Sequence, residues 1–194
     1  MCRLIAIYSG VDLSGIRTGK LKDVEYSKIA HAAGIISQLK LYMIEETRWV
    51  KIRAHVQALK LQTAELAGVF FDYIGLIEVS RNYREREREV AFLSADIKRL
   101  AKDLNIICFP LVQLNREVEK RKDHRPILSD LRESGAIEQD ADCVLFPYRP
   151  AYYGEKCDFP TDAEVAISKN REGATGVAEV KFESSCVRFS ERDA

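Results

Sequence analysis

Apolar residues recur along the chain at two periods, and these divide it into helices and strands. Tyr26, Ile29, Ala33 and Ile36 follow one another at spacings that stack them on one face of a helix. Trp49, Ile52, Val56 and Leu59 repeat the pattern. Val90, Leu93, Ile97, Leu100 and Leu104 carry it furthest and predict the best-defined helix. Between these segments lie short apolar runs bounded by charge or glycine: LYMI at 41–44, GVFFDYIGLI at 68–77, NIICFPLVQL at 105–114 and CVLF at 143–146. Their apolarity is continuous rather than alternating, which predicts strands covered on both faces, as in a parallel sheet. Helices interleaved with such strands predict a layered α/β domain. Past residue 162 the texture changes, because AEVAIS and VAEVKFE alternate around the glycine-bearing KNREGATG and predict a β-hairpin. RNYREREREV, at 81–90, reads as a solvated loop and a helix start.

Length and composition narrow this picture. A chain of 194 residues, 46% hydrophobic, suffices for one well-buried domain and is short for two, so residues 1–194 are expected to form a single domain. Thirty basic and thirty acidic residues cancel, so an anionic partner has to be met by a local cluster of charge. The five cysteines include no C-x-x-C pair, and their spacing suggests neither a metal site nor a disulfide framework. Cys108 and Cys143 lie in apolar runs and are expected to be small core residues. No apolar run approaches the roughly 18 residues of a membrane span, and no signal peptide opens the chain. The expected setting is a reducing cytoplasm, with no membrane partner.

Candidate chemistry collects at the ends of the predicted strands. Val69, Phe70 and Phe71 deliver Asp72 to the carboxyl end of a strand, the edge where open α/β sheets bind ligands. A carboxylate there suits Mg²⁺, which prefers oxygen ligands and keeps part of its water shell; it equally suits the plain end of a buried strand. The next strand runs out through Leu111 and Val112 to Gln113, whose amide could meet a phosphate oxygen, orient a water or face solvent. On the hairpin, Lys169 and Arg171 are separated by one residue and leave the same face of an extended strand. Such a pair fits charge neutralisation on a phosphoryl group held by another subunit, and it also fits an ordinary soluble hairpin end.

Longer stretches then point to a family. FFDYIGL, IKRLAKDLN, FPLVQLNREVEKR, HRPILSDLRES, SDLRESGAIEQDAD and SKNREGATG stand in the order and at the separations of the carboxy-terminal RecA-like motor domain of bacterial and phage replicative DNA helicases of the DnaB type. IRTGKL at 16–21 resembles the same family, and the likeness runs from about Leu4 to Phe189. It implies a RecA-like layered domain with a largely parallel central sheet and a C-terminal β-hairpin, incomplete at its N-terminal side. By this resemblance Asp72 matches the acidic residue of the Walker B strand and binds Mg²⁺, and Gln113 matches the glutamine that senses ATP and couples it to the DNA loops. Lys169 and Arg171 match the basic pair that reaches a neighbouring subunit's nucleotide site. Arg132, Glu133 and Gly135 correspond to the loop that touches the single-stranded DNA backbone in the channel of a hexameric ring. A glycine there admits backbone N–H groups to phosphate oxygens, and Arg132 adds charge and a fork of donors.

The departures from the family pattern carry equal weight. No Gly-x-x-x-x-Gly-Lys-Ser/Thr phosphate loop is present. RLIAIYSGVDLSGIRTGKL imitates one, because residues 3–8 could pass for a strand, but its glycine spacing is short and Leu21 stands where a hydroxyl must hold Mg²⁺. Aligned with the family, Met1 falls downstream of both that loop and the glutamate that polarises water. Pro110 interrupts the strand leading to Gln113 and implies a bulge or an edge, while Gly75 replaces a larger polar residue. Two functions are therefore expected. One is part of an ATP-driven helicase motor that has no ATPase activity of its own. The other is a non-catalytic homologue that binds helicase subunits or single-stranded DNA.

Overall fold

The computed structural model describes residues 1–80, 85–131 and 135–192, which fall into two compact units. One comprises residues 1–42, 146–167 and 176–194; the other comprises 43–145 and 168–175.

In the first unit, α1 (Cys2–Ser9), α2 (Leu13–Thr18) and α3 (Asp23–Ser37) follow one another. Gly10 and Gly19 end α1 and α2 in the left-handed conformation, at φ 67° and 71°, which glycine adopts without a steric penalty. α1 packs on α3 through Ala6, Ala32 and Ile36, all buried. The expected face of α3 is therefore rotated. Tyr26 and Ala33 point outward, because the partner is a single short helix that covers a narrow stripe. Residues 3–8 lie in α1, so they form no strand, and LYMI forms none either. Leu41, Tyr42, Met43 and Ile44 are exposed and have no ladder to join among the described residues.

The second unit holds α4 (Trp49–Gln62), β1 (Gly68–Phe71), α5 (Arg86–Leu104), β2 (Ile107–Pro110) and α6 (Gly135–Asp140). α5 realises its sequence pattern: Val90, Leu93, Ile97 and Leu100 are all buried, against Trp49, Ile52 and Val56 of α4 and Phe71 of β1. A fully buried leucine of this kind contributes about 2 kcal/mol. Asp96 shares that face. The Trp49 indole N–H donates to it at 2.6 Å, and Arg53 and Arg99 each approach at 2.8 Å, so the buried charge is matched.

β1 and β2 pair in parallel, with Phe71 opposite Pro110. Among the described residues only one face of this pair is covered. Phe70, Ile107 and Phe109 stand on the open face, where the two phenyl rings stack at 4.4 Å. The remaining strands, β3 (Cys143–Tyr148), β4 (Asp162–Asn170), β5 (Gly176–Glu183) and β6 (Arg188–Glu191), form a sheet in that order. β4 and β5 make the expected antiparallel hairpin, from Asp162 opposite Lys181 to Ile167 opposite Gly176. β3 alternates rather than being buried throughout. Val144, Phe146 and Tyr148 turn inward, whereas Cys143 is exposed and is not a core residue. Cys108 is partly enclosed, and burial pushes its thiol up to about 11.

Candidate functional site

The site is built from the carboxyl ends of β1 and β2. The Leu111 amide donates to the Phe71 carbonyl at 3.0 Å, and the Ile74 amide donates to the Leu111 carbonyl at 3.0 Å. These two bonds stitch the segments beyond the strands together, so Asp72 and Gln113 emerge on the same rim of the sheet. The regular strand ends at Pro110, earlier than expected, yet the proline costs no bond to β1: the Ile107 and Leu111 amides donate towards that side, so the nitrogen of Pro110 faces the open edge. Pro110 sits on an edge strand, one of the two positions that its chemistry allows.

Asp72 and Gln113 are both exposed. Beside Gln113 lies a cavity of about 240 Å³ lined by Tyr73, Ile74, Gly75, Arg86, Val90, Val112 and Gln113. Gly75 is what lets the Tyr73 ring lie down at its rim: a Cβ at position 75 would stand 2.4 Å from that ring. Arg86, in the first turn of α5, donates to the Gly75 carbonyl at 2.9 Å and pairs with Glu89. The cavity role of Arg86 and Tyr73 was not read from the sequence, where Arg86 is one charge among many in RNYREREREV.

An exposed single carboxylate suits Mg²⁺ that is held mostly through water and substrate oxygens. Among the described residues no group of three or more His, Cys, Asp or Glu side chains gathers to form a fuller cage. The sequence that imitates a phosphate loop folds otherwise. Asp12 caps α2 by accepting from the Gly15 amide at 2.9 Å, and Gly19-Lys20 follows the C-terminal end of that helix. Phosphate is bound at helix N-termini, where free N–H groups point outward.

Lys169 and Arg171 project together, as their spacing predicts, and both engage α6 of their own chain. The Lys169 ammonium donates to the Glu138 carbonyl and, at 3.3 Å, to the Gln139 carbonyl; Arg171 donates to the Gln139 carbonyl. Cations at a helix C-terminus satisfy carbonyls left over by the helix and complement its dipole. Asp142 adds a second hold on Arg171: its carbonyl accepts the Arg171 amide at 2.8 Å and its carboxylate stands 3.8 Å from the guanidinium. A hydrogen bond from Lys98 keeps the Asp142 carboxyl below the usual carboxylate range, with smaller help from Arg171 and Lys102. Two of the acidic residues after Gly135 thus have local side-chain partners: Asp142 as described, and Asp140, which accepts from the Ser94 hydroxyl at 2.6 Å.

Arg132 and Glu133 lie outside the described residues, and Gly135 opens α6 with its surface exposed. The approach to that segment is defined. Leu131 bridges Leu114, the residue after Gln113, and the Asn115 amide donates to the Asp130 carbonyl at 2.7 Å. The two ends of the 115–131 loop are thereby held side by side.

Comparison with known proteins places the chain in a family. The family model described as DnaB-like helicase C terminal domain matches residues 1–191. The replicative DNA helicase DnaB of Buchnera aphidicola subsp. Schizaphis graminum is 35% identical over 192 residues, which cover 97% of this chain and 41% of that protein. DnaB of Geobacillus stearothermophilus is 38% identical over 184 residues, 93% of this chain and 40% of that protein. The chain thus spans about two-fifths of the length of these curated relatives. Among solved structures, one described as an ATPase domain superposes with a TM-score of 0.92 at 30% identity, over 98% of this chain and 69% of that one. A DnaB-like replicative helicase, described with its interactions with primase, gives 0.93 at 30% identity over 99% of this chain and 48% of that one. With its parallel strand pair, its C-terminal antiparallel strands and a family match along nearly its whole length, the chain has the RecA-like α/β fold and belongs to the DnaB-like helicase C-terminal domain family.

Proposed function

We propose that this chain is a single, partial motor domain of a replicative helicase, whose intact form couples ATP hydrolysis to movement along single-stranded DNA in the cytoplasm. The observation that carries this reading is the shared rim of Asp72 and Gln113, set by Phe71 opposite Pro110 and by the Leu111-to-Phe71 hydrogen bond. A family match that runs through both compact units supports treating them as one domain.

In this reading Asp72 holds Mg²⁺ through water. An ion held there would supply positive charge to the phosphates of a bound nucleotide. Gln113, three residues past the end of β2, takes a hydrogen bond to nucleotide or water and passes its position to Leu114 and Leu131. Lys169 and Arg171 serve the nucleotide site of an adjoining copy in a ring, and to reach it they must leave the carbonyls of α6. Arg132, Glu133 and Gly135 meet DNA phosphates. Without a phosphate loop the nucleotide lacks most of its cradle, so the chain alone is not an ATPase.

Titration with a fluorescent ATP analogue and Mg²⁺ tests the last point: no saturable binding is expected, and micromolar affinity in the isolated chain overturns it. Titration with labelled oligothymidylate tests the DNA reading. Arg132→Ala should weaken binding and reduce its salt slope by about one, and an unchanged slope removes the phosphate role from Arg132. The alternative, a non-catalytic homologue that binds helicase subunits or single strands, shares the DNA binding. It parts from the motor reading when the amino-terminal part of a family motor domain is added, since only a motor then recovers nucleotide binding.

A further inference from the structure

The segment from Asn115 to Leu131 leaves the rim at Gln113 and returns to it directly before Arg132. A long surface loop gains little from its own contacts, so something must hold its ends together. Two backbone contacts do so at the base, the Leu114–Leu131 bridge and the 2.7 Å bond from the Asn115 amide to the Asp130 carbonyl. The side chain of the same Asp130 is buried and ionically paired. Arg121 grips its two oxygens at 2.9 and 2.6 Å, a bidentate contact, and the Ile127 amide donates to it at 2.8 Å. The remaining donors of Arg121 reach the carbonyls of Arg125, at 2.8 Å, and Asp123, at 3.4 Å. One guanidinium therefore fastens two further points of the loop, the carbonyls of Asp123 and Arg125, to the residue whose carbonyl closes its base. Val118, buried in the same loop, gives it an apolar foothold.

We infer that Arg121 and Asp130 are positioning residues, which lock the return of this loop so that the DNA-facing segment starts beside Gln113. The pair touches neither strand end and neither basic tip residue; it acts through the backbone of residues 114, 115, 130 and 131. A buried carboxylate that loses its cation is strongly destabilising, and a base held by few bonds opens locally before the rest of the unit unfolds. The geometric half of this inference stands alone, while the statement that the segment faces DNA rests on the function proposed above.

Amide hydrogen exchange on the full chain tests the geometric half. In Arg121→Ala, the Asn115 and Ile127 amides should exchange at least about tenfold faster, while the α5 amides from Leu93 to Leu100 keep their protection. Arg121→Lys, which retains the charge and loses the fork, should fall between. Unchanged protection at Asn115 and Ile127 overturns the inference, as does an equal loss throughout α5, which would mark a general folding role. Labelled oligothymidylate then separates positioning from contact. Arg121→Ala should weaken binding severalfold with the salt slope unaltered, and a slope reduced by about one would make Arg121 itself a phosphate ligand and overturn the positioning role. If the unsubstituted chain binds no oligothymidylate, the DNA reading fails and the exchange data still decide the clasp.

Discussion

The Leu111 amide donates to the Phe71 carbonyl across 3.0 Å, and together with the Ile74-to-Leu111 bond it keeps the chain beyond Pro110 attached to the chain beyond β1. Asp72 and Gln113 consequently share a rim although the regular ladder ends before either is reached. Asp72 is exposed, and among the described residues its side chain has no hydrogen-bond or ion-pair partner. Asp72→Asn should shift stability by no more than about 0.5 kcal/mol, as surface changes do. Denaturant unfolding checks this, and a loss of about 2 kcal/mol would show the carboxylate to be structural.

Asp96 is the opposite case. It is buried between α4 and α5, with Trp49, Arg53 and Arg99 all directed at it. Asp96→Ala should cost about 3–5 kcal/mol, because two guanidinium groups and an indole N–H lose their common acceptor. Trp49→Phe, which removes one donor and leaves the ion pairs, should cost about 1–3 kcal/mol. Urea unfolding followed by circular dichroism measures both; equal losses would mean that ring packing outweighs the charge network.

The hold on Arg171 should depend on pH. The Lys98 hydrogen bond lowers the Asp142 pKa in the folded state. A depressed carboxylate pKa contributes stability that is complete above the ordinary range near about 4, and that is lost as pH falls through the depressed folded value. Acid should therefore loosen the hairpin tip before neutral or alkaline pH does. A carboxyl-detected NMR titration should find Asp142 below the ordinary aspartate range, and Lys98→Ala should return it towards that range.

Gly75 marks a close approach rather than a backbone requirement. A methyl group there would lie 2.4 and 2.9 Å from Tyr73 ring atoms, so Gly75→Ala must turn the ring outward. Tyr73 is already more than one-third exposed, and the expected cost is about 1 kcal/mol. A larger effect should appear in the cavity beside Gln113, which loses one wall. Chemical-shift changes at Val112 and Gln113 that exceed the change in stability would bear this out, and undisturbed shifts would refute it.

The sequence alone determined α4, α5 and the β4–β5 hairpin, because periodicity is local; α4 and α5 bury the faces that their patterns dictate, and the hairpin follows from its glycine-bearing turn, although few of its side chains besides Ala163 and Phe182 are buried. It also identified the family, through long motifs whose residue types and separations are preserved whatever the neighbouring strands do. Position on the rim was legible as well, since Asp72 and Gln113 each follow an apolar run.

Only the tertiary structure decided which apolar runs found a partner. LYMI has the composition of a strand and forms none, and Phe70 and Phe109 stack on an open face, because a strand exists only where another supplies hydrogen bonds and cover. Residues 3–8 became a helix for a similar reason, with Ala6 buried against α3. The contacts of the loops were equally hidden. Arg121 meeting Asp130, and Lys169 and Arg171 meeting the carbonyls of α6, join residues whose separation along the chain carries no period. Such pairings are settled by the closure of the fold in three dimensions, which a one-dimensional pattern of polar and apolar letters does not encode.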